Sequence, residues 1–376
     1  MCLPGTDNGE GLTLRVDTMG GVHLSRIALA SGNLSYTTIG PDDRVESEMV
    51  ARRISIFPAD PVRTTDLRLR GGEPFVCYRN ARSGRLQVSS RVNGEWTHED
   101  AVVAPDLLDA CALFWSDGEL RLLFSSSRGV QEARRQIDGS WRVHDVDLTE
   151  GAGSGLGLTH FQDGRVVAAY RSGAEGHLRI ATRSRNGEWA TEVVEFAIPS
   201  GESIRVVSAP GGHVWIAHGV TGAQGSDAGL VLTYGIPGQF ESVYLRNEYI
   251  GGSIGAARLA GQQLGVFARE MRRSAVFGDF DGLRYYASLP AFIDYRYLAQ
   301  HDSDEIRHAY RNIDLSSDPF GLPVGAMVID RSPSQGDRGG APVCVLLPVD
   351  RDRDRLPDRV EAWLGSDPDN EDTDGD

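Results

Sequence analysis

The feature that most narrows what this chain can fold into is a repeat. Two segments run in parallel, VCYRNARSGRLQVSSRVNGEWTHEDAVV from Val76 and AAYRSGAEGHLRIATRSRNGEWATEVVE from Ala168, and a weaker copy, RLLFSSSRGVQEARRQIDGSWRVHDVDL, starts between them at Arg121. The aromatic anchors fall at Trp96, Trp141, Trp189 and Phe240, spaced 45, 48 and 51 residues. A turn marker keeps the same period: Gly20-Gly21, Gly71-Gly72, Asp117-Gly118, Asp163-Gly164, Gly211-Gly212 and Gly261-Gln262, with first residues 51, 46, 46, 48 and 50 apart. Such pairs reach the positive φ that tight hairpins demand. Between the markers the apolar runs are short and alternating, as in Arg165-Val-Val-Ala-Ala-Tyr170 and His177-Leu-Arg-Ile-Ala-Thr182, and a 3.6-residue period is missing.

Four hairpin-linked strands per unit account for this spacing. A unit of that kind cannot cover both of its faces alone and must stack on neighbours around a central axis. The spacing therefore predicts an all-β protein, a six- or seven-bladed β-propeller over residues 1–349. The repeated tryptophans are expected to open the outermost strands and pack between blades, and small residues such as Gly155, Gly157 and Gly255 to sit where first strands crowd the axis. From about Tyr285 the pattern dissolves, so residues 286–349 are read as a degenerate blade, an insertion or closing strands. Of the four cysteines, Cys77 and Cys111 are expected as buried free thiols, since Cys packs as a small hydrophobe. Cys2 and Cys344 stand at the two ends of the propeller, where a bond between them would tie the ring shut.

Net charge is −15, and residues 350–376 hold nine Asp and two Glu against four Arg, which places −7 of it in one short segment. A surface of that sign repels phosphate backbones and anionic lipid, so nucleic acid and membrane surfaces are excluded as partners. No apolar run approaches the roughly 20 residues that span a bilayer.

The acidic segment has a spacing of its own. Counting from Asp350, carboxylates stand at positions 1, 3, 5, 9 and 12: Asp350, Asp352, Asp354, Asp358 and Glu361. Alternate side chains can then converge on a hard cation, with the carbonyl of Leu356 at position 7 as a further oxygen ligand. Asp372, Asp374 and Asp376 repeat positions 1, 3 and 5. DRDRDRLPDRVE, WLGSDP and DTDGD, in this order, resemble the thrombospondin type 3 repeats of bacterial surface proteins. The resemblance implies that these residues are calcium ligands, that residues 350–376 form a calcium-stiffened linker, and that the chain is a monomeric part of a longer, secreted or cell-surface polypeptide. Arg355 stands at position 6, where the family has Gly for a left-handed turn, which weakens the expected affinity.

The propeller units broadly resemble those of bacterial surface proteins and, more distantly, sialidase-type propellers. Ser184-Arg-Asn-Gly-Glu-Trp189 is one residue short of the sialidase Asp-box, however, and the nearest string to the Arg-Ile-Pro signature is Arg53-Ile-Ser-Ile-Phe-Pro58, so no catalytic residue is carried over. HExxH and phosphate-loop patterns are missing as well. Tyr78-Arg79 and Tyr170-Arg171 recur at the end of a second strand, and Arg205 and Arg258 lie on first strands that face the axis. An aromatic beside a cation can stack on a sugar or hold a carboxylate, which makes these six the candidate ligand-binding residues. Three readings follow: a binding or adhesion module for a glycan or an extracellular protein, a glycan-cleaving enzyme (glycoside hydrolase or polysaccharide lyase), or a spacer without a site.

Overall fold

A computed structural model describes Leu3 and residues 9–346, apart from the segments 29–30, 41–43, 55–64, 104–106, 174–175, 196–199, 221–228, 246–253, 260–263, 275–277, 290–291, 302–307, 318, 320–322 and 332–342. Residues 347–376, with every expected calcium ligand, lie outside the described residues, as does Cys2, one end of the bond to Cys344 that would tie the ring shut.

The described residues form seven antiparallel sheets, six of four strands and a last one of three. The first holds β1 (Gly9–Val16), β2 (Val22–Ala28), β3 (Leu34–Ile39) and β4 (Val45–Ala51); the second β5 (Thr65–Arg70), β6 (Glu73–Asn80), β7 (Arg85–Val92) and β8 (Glu95–Val103). The third holds β9 (Leu107–Ser116), β10 (Glu119–Ser126), β11 (Gly129–Arg135) and β12 (Trp141–Asp147); the fourth β13 (Ser154–His160), β14 (Val166–Ser172), β15 (His177–Arg183) and β16 (Trp189–Glu195). The fifth holds β17 (Ser200–Ser208), β18 (Val214–Val220), β19 (Gly229–Ile236) and β20 (Gln239–Leu245); the sixth β21 (Ile254–Arg258), β22 (Leu264–Ser274), β23 (Gly278–Leu289) and β24 (Phe292–His301). The seventh is β25 (His308–Ser317), β26 (Pro323–Arg331) and β27 (Val343–Leu346).

First strands lie side by side in chain order, β1, β5, β9, β13, β17, β21 and β25, and β25 also lies against β1, which closes the ring. The expected six- or seven-bladed propeller is thus a ring of seven sheets, and the stretch where the repeat dissolves carries the end of the sixth sheet and the seventh. Each strand feeds two seams, because alternate side chains leave a strand on opposite faces. In β14, Val166, Ala168 and Tyr170 pack against the third sheet, while Val167 and Ala169 pack against the fifth. That division explains why the run Val166 to Tyr170 is buried throughout. Crowding at the axis explains two glycines: a Cβ on Gly157 would lie 2.8 Å from the Ile204 carbonyl oxygen, and one on Gly255 would lie 2.7 Å from the Asp314–Leu315 peptide.

The tryptophans open the fourth strands and pack in the seams, as their spacing implies, and each is one half of a clamp. Arg91 and Trp96, directly opposite each other on β7 and β8, both donate to Glu48 of the first sheet at 2.6 and 3.0 Å. Arg135 and Trp141 grip Glu99 of the second sheet in the same way, at 2.7 and 3.3 Å. Trp189 reaches Glu132 of the third sheet at 2.9 Å, with Arg183 at 3.8 Å. Where Phe240 replaces the tryptophan no indole N–H exists, and the Gly238 amide donates to Glu192 at 2.9 Å instead.

The structure corrects the expectation for two cysteines. Cys77 on β6 and Cys111 on β9 face the same seam and are joined in a disulfide that ties the second sheet to the third. Two buried thiols directed into one seam from neighbouring blades meet, and linear spacing does not show that.

Candidate functional site

All seven first strands contribute to one cavity of about 300 Å³ on the ring axis. Its walls are mostly small residues and backbone, so the side chains that give it chemistry are few: Arg15, Arg68, Arg205 and Arg258 against Asp66 and Asp314. Four guanidiniums and two carboxylates leave a formal charge of +2 inside a protein of −15.

The two carboxylates are buried and engaged, Asp66 more closely than Asp314. Asp66 Oδ1 accepts from Arg15 at 2.8 Å, and its Oδ2 accepts from Arg68 Nε at 2.9 Å and from the Leu113 amide of β9 at 2.8 Å. Asp314 Oδ2 accepts from the Leu14 amide of β1 at 2.8 Å, while Arg15 and Arg205 each stand 3.5 Å from the carboxylate. Apart from the Arg68 contact within β5, these bonds cross from one first strand to another and stitch the ring at its centre. Ser203 does the same with a hydroxyl, accepting from the Ile254 amide at 2.9 Å.

The cations are less uniformly committed. Arg15 has Asp66, Asp314 and the Leu14 carbonyl, and burial together with the neighbouring Arg68 charge pushes its pKa down against the pull of the two acids. Arg68 donates through its second nitrogen to the Leu158 carbonyl at 3.4 Å, and Arg205 donates to the Ile204 carbonyl at 3.2 Å. Arg258 is exposed at the end of β21 and has no partner among the described residues. His160, at the end of β13, is held below the ordinary imidazole range by desolvation and then by the charges of Arg68 and Arg15.

A second cleft, of about 390 Å³, lies between the second and third sheets with Phe75 and Trp115 in its wall. It is apolar in character, and its Arg135 is bound through two nitrogens to Glu99. Its Arg70 and Arg135 are matched in number by Glu99 and Glu119, so of the two clefts only the axial one carries a formal surplus of charge.

Of the six residues expected to bind ligand, Arg205 and Arg258 line the axial cavity. The other four do not. Tyr78 and Tyr170 are 1% and 0% exposed, and their hydroxyls are used inside the seams, Tyr78 with Ser89 at 3.0 Å and Tyr170 donating to Asp147 at 2.6 Å. Neither ring offers a face to a sugar, because a second-strand tyrosine in this register is seam core. Arg79 and Arg171 follow them, half-buried, at the ends of β6 and β14. Sequence reasoning missed Arg15, Arg68, Asp66 and Asp314. Their one signal is an arginine near the end of the first strand in the first, second, fifth and sixth units, as in Leu14-Arg15, Leu67-Arg68, Ile204-Arg205 and Ala257-Arg258.

Among the described residues no cluster of His, Cys, Asp and Glu could hold a metal ion, and no helix is long and apolar enough to cross a membrane.

Comparison with solved structures returns, among others, a polysaccharide lyase, a lectin and a sialidase. A polysaccharide lyase, the ulvan lyase PL25, aligns over 91% of this chain and 94% of its own at 10% identity, with a TM-score of 0.57. A mutant of the Aleuria aurantia lectin in complex with Fucα1-6GlcNAc aligns over 85% and 99% at 13% identity, TM-score 0.53. The NanB sialidase of Streptococcus pneumoniae aligns over 91% of this chain and 68% of its own at 11% identity, TM-score 0.51. At these identities the likeness is one of fold. No protein-family model matches the chain, and no curated protein matches it by sequence.

Proposed function

We propose that this chain is a glycan-binding propeller of a secreted or cell-surface protein, with its ligand site in the axial cavity and a calcium-binding connector in residues 350–376. The observation that carries the reading is the cavity itself: seven strands converge on it, and it sets hydrogen-bond donors of Arg68, Arg205 and Arg258 at its surface. Pockets that recognise small polar ligands are concave and carry a few convergent polar groups. The lectin, sialidase and lyase with this fold support a glycan as the ligand class, although fold by itself does not carry function.

Binding is favoured over glycoside hydrolysis by the state of the acids. Glycoside hydrolysis needs a carboxyl group free to donate a proton and a second one facing the sugar ring. Asp66 and Asp314 instead spend their oxygens on guanidiniums and backbone amides. The Cys77–Cys111 bond supports an oxidising compartment, since disulfides persist outside the cytosol. For the tail, the donor set is wholly oxygen, from Asp350, Asp352, Asp354, Leu356, Asp358 and Glu361 with Asp372, Asp374 and Asp376, which suits calcium. Neutralising those carboxylates would stiffen the connector that presents the propeller for adhesion.

A glycan array, run with and without millimolar calcium, tests the propeller; a blank array under both conditions would turn the reading to a spacer. Calorimetry of the whole chain tests the tail. Heat of binding at roughly millimolar calcium, the range of weak extracellular modules, is expected, and its absence refutes the metal site.

A further inference from the structure

We infer that the axial cavity selects a glycan bearing an oxyanion, a carboxylate or a sulfate ester, received by Arg258 and the open faces of Arg68 and Arg205; this rests on the glycan reading above. The acids of the cavity cannot take up all of its positive charge. Asp66 and Asp314 hold Arg15 between them and reach one side each of Arg68 and Arg205. On Arg68 and Arg205 one terminal nitrogen each remains without a partner among the described residues, and on Arg258 the whole guanidinium does.

Cations gathered in a cleft with low-dielectric walls focus their field at the mouth. A neutral sugar would leave that surplus uncompensated, whereas an oxyanion meets it with charge-assisted, fork-shaped hydrogen bonds. His160, next in sequence to the lining residue Thr159, is held low first by burial and then by the charges of Arg68 and Arg15. The acidic remainder of the protein repels large polyanions such as nucleic acid, so a sugar with a single anionic group that fits a space of about 300 Å³ matches the site better.

The test is an array on which each uronate- or sialate-containing oligosaccharide stands beside its carboxyl-reduced form, and each sulfated one beside its desulfated form, with hits measured by calorimetry. Loss of the anionic group is expected to weaken binding tenfold or more in one of the two series, and that series identifies the oxyanion. Arg258→Gln is expected to weaken the same hit about tenfold, with affinity falling as sodium chloride rises, because exposed charges are screened. Ligand binding should also raise the pKa of His160, read by NMR titration, because the bound anion offsets Arg68 and Arg15. Reduced and desulfated forms that bind as tightly as their parents would overturn the anion inference and leave the glycan reading intact. An array with no hits at all would overturn both.

Discussion

Asp314 is where the ring closes, and its replacement gives the sharpest test of how that closure works. Its side chain is buried, 4% of the residue being exposed, and it joins the last sheet to the first through the Leu14 amide at 2.8 Å. In Asp314→Ala that amide, on a strand where Leu14 is fully buried, loses its acceptor, at a cost of about 1–3 kcal/mol. Arg15 and Arg205 lose a partner as well. Removing one member of a buried pair costs roughly 3–5 kcal/mol when the other is stranded, but Arg15 keeps Asp66 at 2.8 Å, which places the sum near the low end of that range, about 3–4 kcal/mol. For a chain of 376 residues unfolding as one unit, about 2.1 cal/mol/K per residue gives about 0.8 kcal/mol/K, hence a fall in Tm of about 4–5 °C. Asp314→Asn keeps an oxygen for Leu14 and drops only the charge, so about half that shift is expected. Scanning calorimetry on the three proteins decides. An Ala variant melting within about 1 °C of the parent, or an Asn variant as unstable as the Ala variant, would refute the assignment of the closing bond.

Other consequences are open to the same measurements. Reducing Cys77–Cys111, or replacing both by Ser, frees a loop with a sequence separation of 34 and should cost roughly 4 kcal/mol by loop entropy, read as a lower urea midpoint. His218 is fully buried on β18, and burial pushes its pKa to about 4. Because the unfolded chain takes up its proton near pH 6.5, stability is complete above that pH and falls as pH drops toward 4, by up to roughly 3 kcal/mol; His218→Leu should flatten this slope in urea titrations at pH 7 and 4.5. The seam clamps should differ with burial. Glu132→Ala removes the partner of Arg121 at 2.7 Å and leaves the Trp189 indole without its acceptor inside a seam; because Arg121 keeps Glu119 at 3.1 Å, the cost should sit near the low end of the range for a buried pair, about 3 kcal/mol. Glu48→Ala removes a carboxylate whose side chain is 31% exposed and should cost less than about 1 kcal/mol.

The parts legible in the sequence were those written into every unit. Trp96, Trp141 and Trp189 could be placed at the start of fourth strands because their spacing and the Gly-containing turns agree. Their acceptors were not legible. Glu48, Glu99 and Glu192 hold equivalent places on fourth strands, but in the third unit that place is His144, and Glu132, directly opposite it on β11, supplies the carboxylate instead. A pattern that moves across strands while keeping its position in space leaves no fixed period to find. The seventh sheet escaped for a similar reason: β23 and β24 run to 12 and 10 residues and carry the sixth sheet past the place where the repeat would end, and among the described residues the last sheet has three strands and no tryptophan opening one. Asp66 and Asp314 look in the sequence like any surface aspartate, and only the ring brings them from 248 residues apart into one cavity.

The arginines of the axis raise a question that the seams help to answer, namely whether they are structural. In the seams, cations come with acids close by: Arg91 with Glu48, Arg135 with Glu99, Arg121 with Glu132. At the axis the stitching between first strands is done by acceptors, and the neutral hydroxyl of Ser203 takes the Ile254 amide at 2.9 Å, nearly the distance at which Asp66 and Asp314 take theirs. Hydrogen bonding between first strands therefore does not always need a charge, and surplus cations repel one another; the pKa of Arg15 is lowered first by burial and then by the charge of Arg68. Arg258 is the clearest case, exposed and without a partner among the described residues. Surface substitutions of that kind fall within about 0.5 kcal/mol, so Arg258→Gln should melt within about 1 °C of the parent while losing ligand. A drop of several degrees in the Gln variant would show that the guanidinium holds the ring together, and the case for a ligand at the axis would lose its firmest residue.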